Sequence, residues 1–244
     1  MTDASMVRTT ESKRLDAFVD AAFAFAVTLL LVAGADTTAT LDGLKKALLQ
    51  IPASAAAFML IALFWMAHRD YGRMAPRRDG LSTLLSLAIV FSVLVYVFPL
   101  RMLVSSGFCW ISDGRLPGST LIRTISDLSD LFFLYGLGFA FLGLLFVSLF
   151  AHVARRGDLL GADAAHRKQA GDYAVIWLIS SLAGLISALL AVFGPMREAP
   201  WLPGVAYWLI PVAIVIRQAL VRRAEAGKPK GALKPRPRRS RKAA

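Results

Sequence analysis

The feature that most constrains this chain is a series of six long apolar segments. Each is about 20 residues long, and at 1.5 Å per residue a helix of that length reaches the roughly 30 Å thickness of the hydrocarbon core of a bilayer. Of all residues, 57% are hydrophobic, whereas soluble domains have roughly 45–50%. The sequence therefore predicts an all-α polytopic membrane protein with six transmembrane helices, at residues 14–34, 44–66, 81–104, 128–153, 172–193 and 203–221.

The distribution of basic residues predicts how these helices are oriented. Most of the 28 lysines and arginines lie before the first helix, between the second and third, between the fourth and fifth, and near or after the end of the sixth. The opposite side of the membrane receives only Lys45, Lys46, Arg101, Arg115, Arg123 and Arg197. Because positively charged segments stay in the cytoplasm, we expect both termini to be cytoplasmic. We also expect the protein to lie in the cell inner (plasma) membrane.

A cleavable signal peptide is the competing interpretation of the first apolar segment. The small residues Ala33-Gly34-Ala35 end an apolar stretch that follows basic residues, which is the pattern of a secretory leader. However, Asp16 and Asp20 lie in the basic region, and cleavage would leave five helices that contradict the charge distribution. The sequence therefore favours a retained membrane helix.

Composition divides the chain into three parts. Residues 1–13 form a predicted cytoplasmic segment, residues 14–223 the six-helix transmembrane domain, and residues 224–244 a tail. The tail is rich in proline, lysine and arginine, so we expect it to be disordered. A polybasic segment beside a membrane attracts anionic lipid head groups, although the tail could also serve only to set the topology. Specific binding of nucleic acid is not expected.

The first predicted helix carries carboxylates at its cytoplasmic end. The uninterrupted apolar run from Ala21 to Gly34 extends only about 21 Å as a helix, so Asp20 must lie at or just inside the membrane edge. A carboxylate that faces lipid there costs a few kcal/mol. We therefore expect Asp20 to face protein or a water-filled space and to have partners.

An apolar face runs along the same helix. At 100° per residue, Ala21, Phe25, Thr28, Leu29 and Val32 lie on one side of it. By spacing alone, this face is more typical of lipid contact or of the core of a helix bundle than of a site.

Three short motifs follow one another on the first three predicted helices. They are RLDAFVD at residues 14–20, FWMAH at residues 64–68 and Phe98-Pro99. They resemble, in this order, the R-x-x-x-F-S-D signature, the Trp-x-x-His element and the Phe-Pro element of the transmembrane protein 175 family of potassium channels. The resemblance covers the whole six-helix unit.

The resemblance implies a potassium channel in which the first helices of four identical subunits line a central pore. Large apolar side chains form the constriction, and the pore has no filter of backbone carbonyl groups. Carried over position by position, the pore-lining residues are Phe25, Thr28, Leu29 and Val32. The implied polar network at the cytoplasmic side consists of Arg14, Phe18, Asp20, Trp65 and His68. The implied partners are potassium ions and the other subunits of a homotetramer.

Four positions depart from the pattern of that family. Val19 replaces the serine of the signature and removes a hydroxyl group, and Ala21 replaces the usual glycine. Phe25 is bulkier than the aliphatic residue typical of the upper constriction, and Ser86 stands where an asparagine is expected. These departures bear on conduction, selectivity and gating, since a ring of phenylalanines would close a dewetted gate firmly.

Small residues repeat at four-residue spacing on two later helices. Gly136 and Ala140 form one such pair, and Ser180, Gly184 and Ala188 form a longer series. Because small residues let membrane helices approach closely, we expect them to pack helices together within one subunit.

No pattern typical of an enzyme or a metal centre is present. The sequence lacks GxSxG and HExxH motifs, has one cysteine and three widely separated histidines, and so predicts no catalytic residue, metal site or cofactor. Asp16 and Asp20, one helical turn apart, leave a second interpretation open. They are the residues that a proton- or cation-coupled transporter, or another non-channel membrane protein, would use.

Overall fold

The computed structural model describes residues 3–32, 40–119, 121–212 and 214–215, with side chains from Thr10 onward. Every regular element in these ranges is helical, which confirms the predicted all-α class. In chain order the elements are α1 (Asp3–Val32), α2 (Leu41–Leu49), α3 (Ile51–Met74), α4 (Gly80–Ile111), α5 (Ile125–Leu160), α6 (Ala164–Phe193), α7 (Leu202–Val205) and a 3-10 turn (Ala206–Trp208). The chain divides into two units, residues 1–210 and 211–244. The second is described only at four helical positions.

In the part of the chain that the structure describes, five helices are long and apolar enough to cross a bilayer. They are Thr10–Val32 within α1, and the whole of α3, α4, α5 and α6. A shorter apolar helix covers Leu202–Val212. The sixth predicted span, residues 203–221, begins in this short helix, but most of its second half lies outside the described residues, as does the predicted tail at 224–244.

The helices extend further than the apolar segments that predicted them. α3 continues to Met74, α4 to Ile111 and α5 to Leu160, because a helix need not end where its side chains leave the hydrocarbon. The interval between the third and fourth predicted helices, residues 105–127, is therefore reduced to 112–124. The predicted start of the second span at residue 44 was wrong. Residues 41–49 form the separate helix α2, and α3 begins with Pro52 in its first turn, a position that proline favours.

Side-chain caps mark where several helices begin. Thr40, Asp79, Thr124 and Asp163 each accept a hydrogen bond from a backbone N–H group in the first turn of α2, α4, α5 and α6 respectively. Such caps satisfy donors that have no partner within the helix. Gly161 ends α5 in the left-handed conformation, with φ 76°, where glycine meets no steric penalty.

An aromatic core joins α3 to α6. The Phe64 ring of α3 lies 5.8–6.2 Å, between centroids, from the rings of Tyr96 on α4, Phe139 and Phe146 on α5, and Trp177 on α6. Aromatic pairs at such distances add about 0.5–1.5 kcal/mol each beyond the burial of their area. Helix α1 packs mainly against α3 and α4, so it lies at the edge of this bundle.

The closest helix pair is α5 with α6. Gly136 of α5 faces Gly184 of α6, and the Ser181 hydroxyl donates a hydrogen bond to the Ala140 carbonyl oxygen at 2.7 Å. The prediction that these small residues pack helices within one subunit is confirmed.

Candidate functional site

Helix α1 buries one side against α3 and α4. Val19, Ala26 and Leu30 are fully buried, and Phe23 is nearly so. These residues recur every three or four positions, which is the period of a single helix face. The opposite side of the helix is exposed in the isolated chain.

Three of the four predicted pore-lining residues lie on the exposed side. Phe25 is 55% exposed, Val32 is 59% exposed, and Thr28 is also exposed. The Thr28 hydroxyl donates a hydrogen bond to the Ala24 carbonyl oxygen at 3.1 Å, so its hydrogen is satisfied within the helix. Leu29 differs, because it is half-buried and packs against the core. One residue after Thr28, it is turned about 100° toward the buried side.

Ala24 and Leu31 are exposed as well, beside Thr28. Ala21, Ala24 and Thr28 have small side chains, so this side of α1 allows a close approach by another helix. Exposed apolar side chains are ordinary in a membrane helix, which is why spacing could not distinguish a pore face from a lipid face.

Asp20 bonds to a neighbouring helix. The indole Nε1 of Trp65 on α3 donates a hydrogen bond to Asp20 Oδ1 at 2.8 Å. One turn further along α3, the guanidinium carbon of Arg69 lies 5.0 Å from the centroid of the Trp65 ring, a cation–π distance. Trp65 therefore connects the Asp20 carboxylate to a cation, and Asp20 has a protein partner, as the sequence predicts.

His68 is connected to α4 instead of α1. Its Nε2 atom lies 3.0 Å from the Ser86 hydroxyl oxygen, and both side chains are buried. The serine that stands in place of the expected asparagine therefore still supplies a polar partner. The His68 ring also lies 5.6 Å from the Tyr71 ring, between centroids.

Among the residues that the structure describes, Arg14 and Phe18 do not join these contacts. Both are exposed, Phe18 by 53%, and at 100° per residue they lie on the same side of α1 as Phe25. They point away from the bundle that contains Trp65 and His68, and their part in the network stays a prediction.

Asp16 has a partner that sequence reasoning missed. Arg78, in the turn between α3 and α4, donates a hydrogen bond from Nη2 to Asp16 Oδ1 at 2.7 Å. The two residues are 62 positions apart in sequence, and no motif connects them. Since Asp16 bonds to Arg78 and Asp20 bonds to Trp65, each carboxylate has a separate partner.

Other parts of the described structure offer no competing centre. No group of three or more His, Cys, Asp or Glu side chains in the described ranges is arranged to hold a metal ion. A cavity of about 690 Å³ opens between the start of α5 and the segment after α6, lined by residues such as Ser129 and Met196. None of its lining residues belongs to α1 or α3.

The hydrogen bond between Asp20 and Trp65 gives a first prediction. Asp20→Asn keeps an acceptor oxygen but removes the charge. We therefore expect the free energy of unfolding to fall by about 1 kcal/mol, the difference between a charged and a neutral hydrogen bond. We also expect a lower yield of assembled protein. Melting curves and size-exclusion profiles in detergent measure both. Asp42→Asn, on the exposed α2, is the control, and equal behaviour of the two variants would contradict a structural role for Asp20.

The fold defines a class of protein. The protein is a polytopic helical membrane protein whose first helix keeps an apolar side without a partner in its own described chain. Residues 14–99 match the model of a family described as the endosomal/lysosomal potassium channel TMEM175. This range contains the contacts of α1 with α3 and the first part of α4. The resemblance drawn from the three motifs is thereby confirmed.

Two known proteins extend this comparison. A protein of Marivirga tractuosa named potassium channel is 30% identical over 93 residues, a match that covers 38% of this chain and 37% of that protein. The chain therefore spans little more than a third of the length of that relative. The structure of a variant of the potassium channel MtTMEM175, solved in complex with a nanobody–MBP fusion, superposes on this chain with a TM-score of 0.71. The two sequences are 23% identical, and the match covers 86% of this chain and 93% of that chain. That likeness shows that the fold is shared.

Proposed function

We propose that this chain is one subunit of a homotetrameric, potassium-preferring cation channel of the cell inner (plasma) membrane, with α1 lining the pore. The observation that carries the proposal is the exposed apolar side of α1, on a helix whose other side is packed against α3 and α4. The family match over residues 14–99 and the potassium channels with related sequence and fold support potassium as the ion.

Four copies of α1 around one axis would form successive rings of side chains. Along the helix, Phe25 lies about 4.5 Å from Thr28, and Thr28 lies about 6 Å from Val32. The rings would therefore be separate barriers. A narrow apolar ring expels water and blocks ions until it widens or becomes hydrated. The Thr28 oxygen donates its hydrogen to Ala24, so its lone pairs stay available to a passing cation.

The orientation of the pore follows from charge. Arg69 and Arg73 at the end of α3 and Arg77 in the turn that follows are exposed, close to the end of α1 that carries Asp20. Because basic residues stay in the cytoplasm, we assign this end to the cytoplasmic side. We also propose that the tail at residues 224–244 contacts anionic lipid head groups there.

The transporter alternative is weaker in this geometry. A carboxylate that relays protons or releases a cation must exchange its partner during each cycle, yet Asp16 and Asp20 bond to Arg78 and Trp65 at 2.7 and 2.8 Å. The proposal therefore gives both residues structural roles, and it assigns no catalytic role to any residue.

Reconstitution in liposomes tests the proposal. We expect the purified protein to release potassium down its gradient faster than sodium, and a cross-linking ladder in detergent to end at four subunits. Empty liposomes are the control. Saturable uptake that is coupled to a second gradient and lost in Asp16→Asn or Asp20→Asn would instead identify a transporter, and a ladder that ends at two subunits would contradict a tetramer.

A further inference from the structure

Arg78 occupies a defined site beside α1. Only 5% of its side chain is exposed. Its guanidinium group donates hydrogen bonds to Asp16, at 2.7 Å, and to the carbonyl oxygen of Ala75, and its central carbon lies 4.6 Å from the centroid of the Tyr71 ring. A guanidinium group leaves water at low cost only where it is paired and stacked. These contacts pair Nη1 and Nη2 and stack the group, whereas the buried Nε atom has no hydrogen-bond partner among the described residues.

Helix α3 leaves room for this contact. A Cβ atom added to Gly72 would lie 3.3 Å from Arg78 Nη2 and 3.9 Å from Asp16 Oδ2. The ion pair therefore forms next to a residue without a side chain, and a larger residue would crowd it. The geometry depends on α1, on α3 and on the turn that follows α3.

The turn that carries Arg78 is itself fixed to α5. The backbone N–H group of Arg77 donates a hydrogen bond to the Leu160 carbonyl oxygen at 3.0 Å, and Asp79 Oδ2 lies 2.7 Å from His152 Nε2. Burial raises the pKa of the Asp79 carboxyl group, but hydrogen bonds from Ser82 and His152 outweigh this effect and lower it below its usual value. Asp79 is thus ionised at neutral pH and connects the turn to α5.

We propose that Arg78 is a positioning residue that holds the cytoplasmic end of α1 at a fixed rotation against the rest of the bundle. The buried residues Val19 and Phe23 and the hydrogen bond between Asp20 and Trp65 already limit the rotation of α1. The contact between Asp16 and Arg78, one helical turn away, limits it further at the cytoplasmic end. A residue outside the motifs of the first helix therefore contributes to the direction in which Phe25 and Thr28 point.

Potassium flux tests the consequence of the contact between Asp16 and Arg78. This consequence rests on the proposed function. Arg78→Met and Asp16→Asn should each lower flux roughly tenfold, the size expected for one hydrogen bond between charged groups, and the double variant should be no worse than either single variant. Arg78→Lys keeps the charge and should restore part of the flux. Arg77→Met, which removes the neighbouring exposed cation but keeps the backbone hydrogen bond, should leave flux unchanged. If the loss of flux in the double variant equals the combined losses of Arg78→Met and Asp16→Asn, the proposal is overturned.

A spin label on Ala17→Cys, in a Cys109→Ser background, tests the contact between Asp16 and Arg78 by a measurement that does not depend on potassium conduction. Ala17 is exposed on α1 next to Asp16, and its label should become more mobile in Arg78→Met and Asp16→Asn but not in Arg77→Met. Unchanged mobility in both variants would overturn the proposal, even in a protein that conducts normally. If the unchanged protein conducts no potassium, the channel proposal fails, and label mobility alone decides the role of Arg78. If Arg78→Met does not fold, Asp16→Asn, at the half-exposed partner, decides it.

Discussion

Phe25→Ala should raise potassium flux by about 10- to 100-fold. Among the predicted pore-lining residues on the exposed side of α1, Phe25 has the largest side chain. Four copies of its ring would form the narrowest apolar barrier. We take the free energy of that barrier to be comparable to the transfer of one phenylalanine side chain, about 1.5–3 kcal/mol. Lowering a barrier by that amount accelerates passage by roughly one to two orders of magnitude.

The matched control for this substitution is Phe91→Ala. Phe91 lies on α4 and is 69% exposed, so its replacement removes the same exposed ring from a different helix. Flux should rise in Phe25→Ala and stay at the original level in Phe91→Ala, in proteoliposomes of equal protein content. If both variants behave alike, the ring of Phe25 is not a barrier to ions.

Gly184→Ala should destabilise the protein, although alanine normally stabilises a helix more than glycine does. A Cβ atom at Gly184 would lie 2.8 Å from the Gly136 carbonyl oxygen and 3.0 Å from the Ala140 backbone nitrogen. Both are backbone atoms, so α5 and α6 would have to move apart along their closest contact. We expect a loss of about 1–3 kcal/mol from this overpacking, or a melting temperature roughly 5 °C lower.

Gly107→Ala is the same substitution at a helical position with open space. A Cβ atom at Gly107 would meet no other atom within 4 Å, and α4 should gain up to about 1 kcal/mol from the better helix former. The two variants should therefore shift the melting temperature in detergent in opposite directions. A rise in both would mean that α5 and α6 are not in close contact.

The sequence allowed the membrane helices and the family resemblance to be predicted because both depend on local patterns. Runs of about 20 apolar residues are sufficient for a span, and three motifs in order were sufficient for the resemblance. The division of α2 from α3 was missed, because Leu44, Leu48 and Leu49 continue the apolar composition of the next helix. Hydropathy does not detect a break between two helices that are both apolar.

The contacts of the site were predictable only where a motif described them. Asp20 and Trp65 belong to motifs and do bond to each other. The ion pair of Asp16 with Arg78 depends on how the turn after α3 approaches α1, which no local pattern encodes. The half-buried position of Leu29 likewise depends on where α3 and α4 contact α1, because helical periodicity gives relative directions without fixing which one faces the bundle.

Thiol modification of Thr28→Cys, in a Cys109→Ser background, tests most directly whether the exposed side of α1 lines a pore. Thr28 lies on that side, whereas Val19 is fully buried against the bundle, so Val19→Cys is the control. The account predicts that a charged, water-soluble thiol reagent reacts at residue 28 and blocks potassium flux, and that it has no effect at residue 19. Full flux after exposure of the Thr28→Cys protein to the reagent, with no label incorporated, would mean that this side of α1 faces lipid.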